Sequence, residues 1–155
     1  MIQVNGMAHV ILTVSSFDAA LGFYGRLLPF FGLEQVFRGA DFAYWVGGRT
    51  ALGIQRCEEA YREERFVQYR VGLHHLSFRA RTRADVDATG AFLREMGAAI
   101  VRGPMEGSWA PGYYYVLFED PDGIRLEICH VPGAGVLQED VAFDGSKDFK
   151  PADAP

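Results

Sequence analysis

Only two cysteines, Cys57 and Cys129, occur in 155 residues, too few for a disulfide framework. The longest apolar stretches, Ala8–Leu12 and Tyr113–Phe118, fall far short of the roughly 20 residues that cross a bilayer. Positive charge is in the minority: 15 Lys and Arg stand against 20 Asp and Glu, a net charge of −5. No basic stripe tracks a phosphate backbone, and the nearest approach is Arg79, Arg81 and Arg83 on alternate positions. Neither nucleic acid nor a membrane is expected as a partner. The opening MIQVNGMAHV has no basic region leading into an apolar core, so no secretory signal is expected. A reducing cytoplasm is the expected compartment.

What is present is a globular composition, 49% hydrophobic, 23% charged and a generous 14% aromatic. A chain of this length buries about 70% of its unfolded surface and needs no metal or disulfide to fold. Its most informative feature is an internal repeat. Residues 7–14 alternate as a strand. Ser15-x-x-Asp18 then reads as a helix start, Ala20, Tyr24, Leu27, Leu28 and Phe31 form one face, and Gly32 is the stop. Strands are expected at 33–37, 41–46 and 50–56, with Gly47-Gly48 turning between the last two.

The second half repeats this order. A strand at 73–80 precedes Thr82-x-x-Asp85, a helix carrying Val86, Leu93 and Met96, and a stop at Gly97. Strands follow at 99–102, 113–119 and 124–130, the last entered through the turn Asp120-Pro121-Asp122-Gly123. The fold class predicted is α+β: two βαβββ modules whose sheets together form a cup around a cavity. Module one covers about 7–57, a charged linker 58–72 and module two about 73–131. Residues 132–155 form a C-terminal extension that frays at Lys150–Pro155, and the whole chain counts as one domain.

Strand alternation sorts side chains between helix and cavity. Ala8, Val10, Leu12 and Val14 belong under the first helix, and His9, Ile11 and Thr13 oppose them. His75, Ser77 and Arg79 share the polar face of the fifth strand, and His74 turns away beneath the helix. Ile124, Leu126 and Ile128 are core, against Arg125, Glu127 and Cys129. The cavity face also receives Ala51, Gly53 and Gln55, and Tyr113, Tyr115 and Leu117. Three potential ligands therefore share it: His9, His75 and Glu127. A strand histidine is usually a hydrogen-bonded structural residue, and a lone glutamate a solvated one. Two histidines at matched repeat positions with a carboxylate tip the balance toward one divalent ion with open coordination positions.

Through His9-Val-Ile-Leu-Thr-Val, Phe23-Tyr24, His75-Leu-Ser-Phe and Asp120-Pro-Asp-Gly-Ile-Arg-Leu-Glu127 the chain resembles the vicinal oxygen chelate superfamily. That superfamily holds glyoxalase I, extradiol dioxygenases, fosfomycin-resistance thiol transferases and bleomycin-binding proteins. The resemblance covers about residues 7–131. It implies a cup of two modules around a metal (Fe, Zn, Ni or Mn) that chelates neighbouring oxygens of a small molecule. The implied ligands are His9, His75 and Glu127, and a homodimer is the implied assembly. This chain also departs from its resembled groups. Gly53 falls where glyoxalase I-like members bring a fourth ligand, and Gln55 substitutes only if the strand shifts. Ile11 stands where fosfomycin-resistance enzymes carry threonine. Leu117 stands where extradiol dioxygenases carry tyrosine.

Two function classes follow. The first is a metal-dependent isomerase, lyase or ring-cleaving dioxygenase acting on vicinal oxygens. In it Glu127, Tyr115 and Gln55 take catalytic roles, with Tyr113 and Glu119 as further proton-transfer candidates, and Arg79, Tyr113, Trp109 and Ile11 bind substrate. The alternative is a metal-free binding protein of the bleomycin-resistance type. His130 is expected to be exposed. Gly103–Gly112, with Trp109 exposed within it, reads as a mobile substrate loop.

Overall fold

The structure, a computed structural model, describes residues 1–139 and 141; the expected tail at 150–155 lies outside them. Two compact units emerge, residues 1–67 with 120–124, and residues 68–119 with the chain from 125 onward. Each carries one four-stranded sheet and one helix, so the α+β class and the repeat are both present.

In the first unit β1 (Val10–Val14), α1 (Phe17–Phe30), β2 (Glu34–Arg38), β3 (Phe42–Gly47) and β4 (Thr50–Arg56) give the sheet order β1-β4-β3-β2. β1 and β4 are parallel, a pairing that needs the long crossover which α1, β2 and β3 supply. α1 buries Phe17, Ala20, Tyr24, Leu27 and Leu28, all at helical spacing. Each large one contributes roughly 1.5–3 kcal/mol by leaving water. Leu12 and Val14 are buried and Ile11 remains 40% exposed, as the alternation predicts, but Ala8 is exposed and Val10 only half-buried, because β1 begins at Val10. The helix start differs from expectation. Its N-cap is Ser16, with no side-chain cap, because Ser15 bonds Asp122 instead through both its backbone N–H (2.8 Å) and its hydroxyl.

The second unit has the matching order β5-β8-β7-β6, from β5 (Leu76–Arg79), α2 (Arg83–Met96), β6 (Ala99–Glu106), β7 (Tyr114–Glu119) and β8 (Arg125–His130). Here the cap is as read from the sequence. Thr82 and Asp85 form a reciprocal capping box, and Gly97 ends α2 at φ 70° in the left-handed region. β6 runs four residues past the expected stop. Its register shifts on either side of Arg102, and these irregularities absorb Gly103 and Pro104 within the strand. α2 leaves room for that strand through Gly90, where a Cβ would lie 2.5 Å from the Pro104 ring. Both histidine-bearing strands are shorter than expected. Pairing begins at Val10↔Leu52 and Leu76↔Leu126, so His9 and His75 each stand one residue before a strand.

The turn Asp120–Gly123 packs with the first unit. Asp120 accepts from the backbone N–H groups of Asp122 and Ile124 (2.9 and 2.8 Å) and from the buried Tyr24 hydroxyl (2.9 Å). Burial pushes the Asp120 carboxyl up to about 6, although these hydrogen bonds pull the other way. The same environment raises the Tyr24 phenol well above its ordinary value. The linker is largely exposed and is pinned where Phe66 donates to the Asp122 carbonyl at 3.1 Å. No helix among the described residues is long and apolar enough to cross a membrane.

Candidate functional site

The two parallel strand pairs carry corresponding positions to different chemistry. In the second unit Ser77 lies opposite Glu127 and Arg79 opposite Cys129. In the first, Ile11 lies opposite Gly53 and Thr13 opposite Gln55. The sequence-based alignment of Gly53 with Glu127 therefore holds in the register. A side chain at Gly53 would meet Ile11, Tyr44 and Phe42 at 2.6, 2.9 and 3.1 Å, so apolar groups fill the space a ligand would need. Gln55 is in unshifted register and exposed.

The second unit encloses a cavity of about 540 Å³, whose polar wall is His75, Ser77, Arg79, Tyr113, Glu127 and Cys129. Glu127 is its centre. Only 4% exposed, it accepts from Ser77 Oγ at 2.8 Å and from the Tyr113 hydroxyl at 2.5 Å. Both bonds fall on Oε1, and no donor among the described residues reaches Oε2. No basic side chain among them pairs with this carboxylate. Tyr113 reaches it from the residue before β7 because its backbone is anchored on both sides. Its N–H donates to the Ala110 carbonyl and its own carbonyl accepts from Gly107, both at 3.0 Å. Burial, then hydrogen bonds to Cys129 and Glu127, push the Tyr113 phenol well above its ordinary value. Tyr113 thus stays protonated and donates; it is unsuited to act as a base.

The expected mobile loop is partly strand and partly a packed turn. Trp109 is half-buried and not exposed, with Tyr113 and Tyr115 both at 5.0 Å centroid distance. It folds back over Gly107, where a Cβ would lie 2.6 Å from the indole. Its Nε1 is buried and has no partner among the described residues. Trp109 lines the cavity, but Tyr115, 2% exposed, sits behind it and does not. Arg79 lines the cavity and donates to the Val131 carbonyl at 3.4 Å. Glu119, a further base candidate, is instead paired with Arg125 at 2.8 Å. His130 is half-buried and its Nδ1 is buried without a partner, contrary to the expected exposure.

His75 lines the cavity, and its Nδ1 lies 2.8 Å from Nδ1 of His74, which Gln68 Nε2 approaches at 3.3 Å. The expectation that alternation turns His74 away fails because a bend at His74 precedes β5, so no alternation operates there. Burial, then the neighbouring His75 and Arg125, hold the His74 imidazole below its ordinary pKa. The sequence reading also missed Gln68, and gave Ser77 a face without a role. Its position two residues after His75 was the available signal. His9 and Ile11 belong to the first unit, where His9 is exposed. Among the described residues, no three His, Cys, Asp or Glu side chains form a ready-made metal cluster. The second unit by itself supplies two of the expected ligands, His75 and Glu127.

Comparison with known proteins gives a consistent answer. The sequence profile described as "Glyoxalase/Bleomycin resistance protein/Dioxygenase superfamily" matches residues 6–128. An uncharacterized Bacillus subtilis protein, YqjT, is 32% identical over 125 residues, covering 79% of this chain and 96% of its own. The metallothiol transferase FosB of Shouchella clausii is 30% identical over 126 residues, 81% of this chain and 80% of its own. A crystal structure of a candidate glyoxalase from Bacillus halodurans superposes with a TM-score of 0.74 at 30% identity, covering 82% of this chain and 96% of that one.

Proposed function

Because the chain belongs to the glyoxalase/bleomycin resistance protein/dioxygenase superfamily, we propose that it is a metal-dependent enzyme acting on a small molecule through two neighbouring oxygens. The observation that carries this reading is Glu127. A carboxylate so deeply buried is costly without a counter-charge, and none of the described side chains provides one. One oxygen is saturated by Ser77 and Tyr113 while the other is unengaged, beside His75 on the same cavity wall. This donor set fits a divalent ion. His75 and Glu127 would hold it.

When bound, such an ion supplies Lewis-acid polarisation of the substrate oxygens. The chain's own groups do the rest. Ser77 and Tyr113 fix the Glu127 carboxylate, and Tyr113 keeps its proton. The Arg79 guanidinium receives an anionic substituent, and Trp109 offers an apolar wall. Tyr115 backs Trp109 without reaching substrate. Gln55 and Ile11 are the substrate-facing candidates of the first unit. Isomerase, lyase or thiol-transfer chemistry is favoured over ring cleavage, because Leu117 and not a tyrosine lies opposite Glu127. Glyoxalase I chemistry with four protein ligands is disfavoured by the filled space at Gly53. A homodimer in solution completes the reading.

The test is calorimetric titration of α-hydroxy carbonyls and catechols into protein with and without Zn²⁺, Ni²⁺ or Mn²⁺. Binding that requires the ion supports the enzyme. Equal binding without it supports the metal-free binding protein instead.

A further inference from the structure

We infer that the cavity takes an anion with an apolar body, and that residues 131–137 are the wall that selects it. The inference rests on the reading above for calling that ligand the substrate, whereas the preference itself needs no metal. The superfamily profile matches only as far as residue 128, so the wall lies beyond the matched residues. It is a built segment. Pro132 packs against Gly112, where a Cβ would lie 2.8 Å from its ring. Gly133 and Gly135 take φ of 60° and 58°, in the left-handed region. A short 3-10 turn, Gly135–Leu137, follows, in which the Leu137 N–H donates to the Ala134 carbonyl at 3.1 Å. Gln138 Nε2 donates back to the Pro132 carbonyl at 3.2 Å. Val136 and Leu137 are thereby set at the cavity, 41% and 85% exposed, as apolar surface that a ligand can cover. The cavity floor passes from Glu127 through Cys129 to Val131, and from Ser77 to Arg79 on β5. Arg79, opposite Cys129, stands roughly 7 Å along the sheet from the level of Glu127. It donates to the Val131 carbonyl at 3.4 Å, and no carboxylate among the described residues pairs with it. The cation thus sits beside the apolar wall. The volume of about 540 Å³ lies within the roughly 300–1,000 Å³ of sites for drug-sized ligands, well above what a small hydroxy acid fills.

The experiment titrates two matched dyes into the metal-free, full-length protein and follows their fluorescence. One is anilinonaphthalene sulfonate, an aromatic anion; the other is phenylnaphthylamine, the same rings without the sulfonate. The wild type should bind the sulfonate more tightly than the amine. Arg79→Gln should weaken the sulfonate about tenfold and leave the amine unchanged. Val136→Ser/Leu137→Ser should weaken both dyes about tenfold or more. All three side chains are exposed, so these variants should fold as the wild type does. Val36→Ser, at an exposed apolar position of β2, should change neither affinity. A wild type that binds neither dye, a wall variant that binds both as the wild type does, or an Arg79→Gln protein that loses both dyes alike or neither would overturn the inference. If the wild type binds no divalent ion, the proposed function falls, and the dye titrations still decide what the cavity selects.

Discussion

The phenol of Tyr113 donates to Oε1 of Glu127 at 2.5 Å, so a buried carboxylate on β8 is held from outside its own strand. Tyr113 in turn depends on the packed turn at 107–113, where Trp109 closes over Gly107. The turn therefore acts on the centre of the cavity through one hydrogen bond. Ser77 provides the second hold from β5, and Oε2 is left over.

Tyr113→Phe removes that bond while keeping the ring contacts to Trp109 and Tyr115. The protein should fold with a melting temperature within a few degrees of wild type. Its divalent metal affinity should drop about tenfold, as for other residues that orient a ligand. Calorimetric titration with Zn²⁺ checks this, and an unchanged affinity would remove Tyr113 from the site.

Gly53→Glu restores the residue type that four-ligand relatives carry, yet it should gain no metal affinity. Its Cβ would overlap Ile11 and Tyr44, and the carboxylate would enter an apolar layer. Overpacking of this kind costs about 1–3 kcal/mol before the charge is counted. Urea denaturation should show the loss.

Asp120 makes stability depend on pH. Its carboxyl is raised to about 6 in the folded protein, so folding favours the protonated form. Its contribution is therefore most favourable below the unfolded carboxylate range near 4 and is lost as pH climbs to about 6. The difference is on the order of 2–3 kcal/mol. Asp120→Asn retains an acceptor for the two backbone N–H groups and should flatten this slope. Urea midpoints of both proteins from pH 4 to 7 measure it, and parallel slopes would assign the dependence elsewhere.

Much of this architecture was legible because the repeat is written twice. The Thr82–Asp85 cap, β4 and most of the α1 and α2 core faces lie where local patterning puts them, although Phe31 falls past the end of α1 and both it and Met96 are only half-buried. Ser15-x-x-Asp18 has the look of the same cap, but Ser15 is claimed by Asp122, 107 residues away, which no local pattern encodes. Gly103-Pro104 reads as a strand stop, yet β6 continues past it through irregular register. Glu127 and His75 were found by alternation and repeat position. Alternation places His74 beneath the helix because it extends the pattern into residues that precede β5, and the burial that keeps the Tyr113 phenol protonated cannot be read from sequence.

The central claim is that Glu127 and His75 hold a divalent ion, and elemental analysis tests it most directly. The protein should be purified without a histidine tag beside His75→Ala/Glu127→Ala, each incubated with Fe²⁺, Zn²⁺, Ni²⁺ or Mn²⁺ and desalted. The account predicts about one metal ion per chain in the wild type and essentially none in the double variant. A wild type that retains no metal under any of these conditions, or a variant that retains as much, would contradict it.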